Sequence, residues 1–202
     1  MMIIMRKPQR RRTPSRRKEI THERIVETAA RAIRRTGYAG TSVADIMKEA
    51  GLTHGGFYAH FDSREDMLAE AADHAGAEAV ALASKVAAAA PTGQALHSML
   101  RFYLSKEHIA GVETGCPIAA LGSEMPRQAS EVRHAATCRI KEMIDVVARQ
   151  LPDWGKPKAH EQALVTVATM VGTLIMARAV DDPNLANAFC KATLKQLDLA
   201  GK

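Results

Sequence analysis

Two stretches of this chain hold side chains whose types and spacing carry chemistry. In the first, Thr53-His54-Gly55-Gly56-Phe57-Tyr58-Ala59-His60-Phe61, polar-tipped aromatic groups interleave with apolar rings. Phe57 and Phe61 are four apart, share one helical face and read as core. Tyr58 and His60 then turn outward, with groups able to reach phosphate oxygens or to find protein partners at a half-buried surface. Gly55 and Gly56 are each worse helix formers than Ala by about 1 kcal/mol. Two in succession make sense where a backbone must approach a large partner closely. Thr53 is placed to cap this element, leaving its first-turn amides to face a phosphate. The second stretch, residues 114–128, reads TGCPIAALGSEMPRQ. Pro117 suits the first turn of a helix, which puts Cys116 at or just before the N-terminus. The helix dipole there favours a reactive thiolate. Cys116 therefore has two readings, a sensing thiol or a small unreactive thiol packed between helices.

Other chemistries find little support. His22-Glu23 and His160-Glu161 lack the second His of a zinc-protease motif, and no phosphate-binding loop, dinucleotide fingerprint or serine elbow occurs. A Cys116 nucleophile served by His97, His108 or His134 is the one catalytic arrangement the residue types allow. We expect no catalytic residue, no cofactor and no metal.

The elements that must position these groups are set by periodicity. A first helix is expected over residues 21–35, with Thr21 as cap, Ile25, Ala29, Ala32 and Ile33 inward, and Arg34 and Arg35 at its negative end. Gly37 supplies a left-handed stop. A second helix, capped by Thr41 or Ser42, carries Val43, Ile46, Met47 and Ala50 and ends at Gly51. A third starts at Thr53. Two short helices across a Gly-containing turn make a helix-turn-helix, whose second helix enters the DNA major groove. Ser63 followed by Asp66 resembles a capping box for the next helix.

Charge agrees with that reading. Residues 1–60 hold 13 Lys/Arg against 5 Asp/Glu, while residues 61–202 hold 15 against 17. The basic excess thus lies on the half that carries the motif, as an electrostatic footprint on phosphate requires. Eight basic residues, two prolines and no acid occupy residues 6–18. Residues 1–20 are therefore expected to be a disordered basic arm. It either tracks the phosphate backbone, with Arg16 and Arg17 in contact, or is a solvated tail.

Alanine dominates, aromatics make up 4% of the chain, and no segment alternates at period two. That composition predicts an all-α fold. Beyond Ser63 the breaks predict helices near 63–89, 93–109, 117–124, 127–151, 158–180 and 184–198. Residues 163–180 are apolar around most of the helix, which implies burial on several sides. Met99, Met125, Met143, Met170 and Met176, with Phe102 and Tyr103, either line an adaptable apolar pocket or simply fill the core. Three cysteines without a CxxC point to a reducing cytoplasm, and Cys138 and Cys190 read as core. The uncharged run 163–177 is too short to span a bilayer, and MMIIM is too short for a signal segment, so neither membrane nor export is expected.

The run ERIVETAARAIRRTGYAGTSVADIMKEAGLTHGGFYAHFDSREDML resembles the DNA-binding domain of the TetR family of bacterial transcriptional repressors. The resemblance implies an N-terminal three-helix helix-turn-helix headpiece over residues 21–62. A helical effector-binding and dimerisation bundle would occupy 63–202. It implies operator contacts by Ser42, Thr53, His54, Gly55, Gly56, Tyr58, His60 and Arg64. His54 stands where the family commonly has Lys, and Gly56 occupies a frequent base-reading position without a side chain. Residues 114–128 are similar to a Gly-Cys-x-x-x-x-Leu motif of one branch, which includes members that sense electrophiles or oxidants. The resemblance further implies a homodimer built on the last two helices and double-stranded operator DNA as partner. It implies an unidentified small-molecule effector, and the residue types above make Cys116, Met99, Phe102, Tyr103, Met125 and Met170 its candidate contacts. It places the protein in the bacterial cytoplasm, on the nucleoid when bound, as a ligand-responsive regulator and most simply a repressor.

Overall fold

A basic turn opens the fold. The computed structural model describes residues 16–200, and α1 (Arg16–Thr36) begins at the first of them. Most of the arm expected over residues 1–20 lies outside the described residues, but residues 16–20 are helical rather than disordered. They contain neither Pro nor Gly, and they extend a helix already packed from Ile25 onward, so each further turn forms without a new nucleation cost. Thr21 accordingly sits inside the helix, its hydroxyl donating back to the Arg17 carbonyl at 2.9 Å instead of capping.

Beyond α1 come α2 (Val43–Glu49), a 3₁₀ segment (His54–Ala59), α3 (Arg64–Ala89) and α4 (Ala95–Tyr103). Next are two short helices, α5 (Lys106–Ala110) and α6 (Pro117–Leu121), then a 3₁₀ turn (Met125–Arg127). Three long helices close the chain: α7 (Ser130–Ala148), α8 (Pro157–Ala179) and α9 (Pro183–Ala200). No strand occurs among the described residues, so the all-α expectation holds. Two predicted helices are corrected. The one expected over 93–109 divides after Tyr103, because Ser105 starts a new helix by accepting from the His108 N–H at 3.2 Å. The one expected over 117–124 stops at Leu121, because Gly122 and Pro126 interrupt the helical run beyond it.

Apolar stripes decide the packing. Ile25, Ala29 and Ile33 of α1 meet Ile46 and Met47 of α2, the two rings Phe57 and Phe61, and Met67 and Leu68 of α3. The same cluster takes in Leu121 and Val132, so the headpiece core continues into the body. Farther along, α3 lies against α7. Gly76 lets them close, since a Cβ there would stand 2.5 Å from that of Arg139. The Arg139 guanidinium then grips both oxygens of Asp73 at 2.8 and 2.7 Å. Inward residues of α8, among them Ala163, Thr166, Met170 and Leu174, pack toward α7 and α9. Its other side leaves Leu164, Val165, Ile175 and Met176 exposed. Met176 thus belongs to an outer face, neither lining the pocket nor filling the core.

Candidate DNA interface and effector cavity

The helix-turn-helix is built from capping chemistry. Ser42 rather than Thr41 caps α2, its hydroxyl accepting from the Asp45 N–H at 3.1 Å. Gly37 and Gly51 end α1 and α2 with φ of 77° and 69°, a region that L side chains seldom adopt. Thr53 is extended and precedes the third element, but its side chain makes no capping bond. That element is a six-residue 3₁₀ segment, as a Gly pair that weakens α-helix allows. A Cβ at Gly55 would meet nothing within 4 Å, so the protein itself does not require glycine there. The space outside it is open to an approaching partner.

On this segment Phe57 and Phe61 are 2% and 3% exposed and stack at 5.4 Å, as expected. Tyr58 is 71% exposed and stands edge-on to Phe57 and to the exposed His54 ring. His60 departs from the outward reading. It is half-buried beside His22, 5.8 Å between centroids, and its Nδ1 is buried without a partner. Burial, then His22, then Lys18 depress its pKa, so it is neutral at physiological pH. Arg16, Arg17 and Lys18 form the exposed first turn of α1. Arg64 does not reach outward. Its guanidinium donates to the carbonyls of Tyr38 and Thr41, the latter at 3.1 Å, and so braces the turn between α1 and α2. Arg34, at the negative end of α1 as expected, is 3% exposed and donates to Glu78 at 2.8 Å and to the Gly115 carbonyl at 3.4 Å.

Behind the headpiece lies an apolar cavity of about 340 Å³, bounded by α3, α4, α6, α7 and α8. Met99, Phe102, Tyr103, Cys116, Met125 and Met170 all line it. So do Tyr38, contributed by the headpiece turn, and His108. Cys116 is the residue before α6 and is 8% exposed. Its N–H donates to His108 Nε2 at 3.1 Å. Burial, then the Arg178 guanidinium, hold the His108 pKa down to about 4. Arg178 itself donates to the carbonyls of Ile109 at 3.0 Å and His108 at 2.8 Å.

Two family models match in the same order as these two regions. Bacterial regulatory proteins of the tetR family match residues 25–71, and the C-terminal domain of LmrA/YxaF-like transcriptional regulators matches residues 91–187. The chain belongs to the TetR family. The HTH-type transcriptional regulator LmrA of Bacillus subtilis is 24% identical over 161 residues, 78% of this chain and 86% of its own length. A regulator of Mycobacterium tuberculosis, Rv0196, is 28% identical over 168 residues, 79% of this chain and 85% of its own. Among solved structures, a TetR regulator from Chloroflexus aurantiacus superposes with a TM-score of 0.75 at 26% identity, covering 91% of this chain and 96% of its own. The reduced form of Escherichia coli NemR, at 16% identity and a TM-score of 0.76, covering 88% of this chain and 95% of its own, shares the fold. The family and these relatives are transcriptional regulators, not enzymes, and this chain is a DNA-binding regulator of that family.

For a TetR headpiece, the site residues divide by geometry. Ser42, Thr53, His54, Gly55 and Tyr58 are exposed on or beside the recognition segment, while Gly56, His60 and Arg64 are partly covered. In the body, the six residues read as effector contacts do converge on one cavity. Tyr38 and Arg178 were missed, and His108 was named only as one possible base for Cys116. Tyr38 has no pattern of its own in the sequence, and nothing in the spacing brings residues 108 and 178 together; only the docking of α5 on α8 does. Cys138 is corrected as well. It is part exposed with its Sγ 3.6 Å from His134 Nε2, whereas Cys190 is buried as expected.

Proposed function

We propose that this chain is a homodimeric repressor released from its operator when a small molecule occupies the cavity behind the headpiece. The observation that carries the reading is that the cavity wall is wired to the DNA-binding unit. Residues 114–118 and Met125 form part of that wall. Gly115 accepts from Arg34 of α1, and the Glu124 carboxylate accepts from the Tyr38 N–H at 3.0 Å. A ligand that shifts this segment therefore changes contacts that fix the end of α1 and the start of the helix-turn-helix. Operator contact falls to Ser42, Thr53, His54, Gly55, Gly56 and Tyr58, with His60 through Nε2 and with Arg16 and Arg17 on phosphates. Arg64 supports them from behind. The exposed apolar faces of α8 and α9, where Val165, Ile175, Met176 and Leu185 lie, form the two-fold interface. The dimer sets two recognition segments about 34–36 Å apart or slightly more, in successive major grooves. Such a protein works in the cytoplasm.

A second reading has its own observation. Cys116 faces the cavity while nearly closed to solvent, so an electrophile small enough to enter would reach the thiol there. The test for both is a thermal-shift screen of the full-length protein with small apolar compounds and electrophiles, then operator binding with each hit. A ligand that raises Tm must weaken DNA binding, and DNA must weaken the ligand by the same factor. Cavity ligands that leave DNA affinity unchanged would overturn the release mechanism. Release that persists in Cys116→Ser assigns it to non-covalent occupancy.

A further inference from the structure

Six buried side-chain polar atoms lack a hydrogen-bond partner among the described residues, and four of them surround one peptide. They are Arg34 Nε, Tyr103 Oη, His108 Nδ1 and Arg178 Nη1. Arg34 donates to the Gly115 carbonyl, and the Cys116 N–H donates to His108. Arg178 packs so closely on Gly115 that a Cβ there would lie 2.9 Å from the guanidinium. The Tyr103 ring meets the His108 ring edge-on at 4.7 Å, and its hydroxyl faces the Cys116 thiol without a well-shaped hydrogen bond. Native proteins seldom leave buried polar groups unpaired, so four around one peptide need an explanation.

All four can donate. The His108 tautomer is fixed by its neighbour. Because Nε2 accepts the Cys116 N–H, its lone pair lies there, and a neutral ring must carry its proton on Nδ1. The Tyr103 carbonyl favours that N–H without forming a well-shaped hydrogen bond to it. The Arg178 guanidinium has no carboxylate partner among the described residues, and no Asp or Glu lines the cavity. Arg139, also on the wall, is spent on Asp73 and Glu142. The end of the cavity at α5 and α6 therefore presents the donors of Tyr103 and His108, has no carboxylate, and lies close to the half-buried Arg178 guanidinium. The rest of the wall is mainly apolar; its other polar residues include Tyr38, whose buried Oη is also unpaired, Thr114 and the ion-paired Arg139.

We propose that the effector is an apolar molecule bearing one oxyanion, held at this end by Tyr103 Oη–H and His108 Nδ1–H in the field of Arg178. The proposal rests on the cavity being the effector site, and it adds the chemistry of the effector. It also gives Gly115 a role. The peptide that flanks the oxyanion is the one Arg34 of α1 holds, so the charged end of the ligand lies next to the connection to the headpiece.

Three probes of one shape decide it: naphthalene, 2-acetylnaphthalene and 2-naphthoate, titrated calorimetrically into the full-length protein. We expect 2-naphthoate to bind about tenfold or more tighter than naphthalene, as charge-assisted bonds to an oxyanion imply. The neutral acceptor 2-acetylnaphthalene should fall between them. Tyr103→Phe keeps the ring and removes a hydroxyl whose neighbour is the weakly accepting Cys116 thiol. It should melt no lower than wild type, lose about fivefold or more for 2-naphthoate and leave naphthalene unchanged. Naphthalene binding as tightly as 2-naphthoate would overturn the proposal while leaving the cavity reading intact. Equal binding of 2-acetylnaphthalene and 2-naphthoate would overturn the assignment of charge. An unchanged 2-naphthoate affinity in Tyr103→Phe would remove Tyr103 from the site. If none of the three probes binds, the cavity reading fails and the proposal with it.

Discussion

At the residue scale the recognition segment separates core from contact by one position. Phe57 is closed and Tyr58 is open, so truncation at Tyr58 removes a contact and little packing. Tyr58→Ala should keep its melting temperature while DNA binding weakens, and the salt dependence should become shallower by about one unit if one phosphate contact is lost. An unchanged slope in a folded variant would take Tyr58 off the interface. The cysteines are ordered by exposure rather than by helix position. A brief maleimide pulse on native protein should label part-exposed Cys138 ahead of buried Cys116 and Cys190, read by mass spectrometry. This reverses what a thiol at a helix N-terminus suggests, because α6 has five residues and Cys116 and Pro117 at its start are buried. Labelling at Cys116 first would mean that the cavity admits the reagent readily.

At the scale of elements, Arg64 distinguishes a brace from a phosphate contact. It begins α3 yet holds two carbonyls of the turn between α1 and α2. Arg64→Ala should cost about 1–3 kcal/mol of stability, the range for hydrogen bonds from a charged donor, in a denaturant titration. The salt slope of DNA binding should stay where it was. A variant of full stability with a shallower slope would return Arg64 to the phosphates. Most elements were legible in the sequence because their signals are local. Ser42, Ser63, Gly37 and Gly51 mark helix ends by chemistry that needs no tertiary contact. The start of α1 was misplaced because a run of positive charge reads as disorder, yet a helix already packed at Ile25 carries it along. The third element was read as a helix with a side-chain cap. Two glycines reduce it to a 3₁₀ segment, and Thr53 makes no capping bond.

At the scale of the whole molecule, the cavity was half legible. Methionine and aromatic residues at helical spacing pointed to six of its lining residues, and the Cys-Pro pair to a seventh, since apolar stripes turn inward whatever the partner. Tyr103 was legible as an apolar lining residue but its grouping with His108 and Arg178 was not, because the three meet only when α4, α5 and α8 dock. The outer face of α8 makes a prediction of its own. Ile175→Asp, on an exposed apolar surface, should leave the folded monomer as stable as before but shift light-scattering mass from dimer to monomer. DNA affinity should fall with it, since one headpiece holds a single half-site. A monomeric wild type would remove the two-fold arrangement.

That this headpiece reads a sequence is the central claim, and selection from random DNA tests it most directly. Repeated rounds of binding by the full-length protein at physiological salt, with sequencing of the retained fragments, should enrich an inverted repeat. Its half-sites should be about one helical turn apart or slightly more. Tyr58→Ala should enrich it less strongly. Retention that grows with overall charge contact, with no sequence emerging after many rounds, would contradict the account and leave a helical protein that meets DNA through its charge alone.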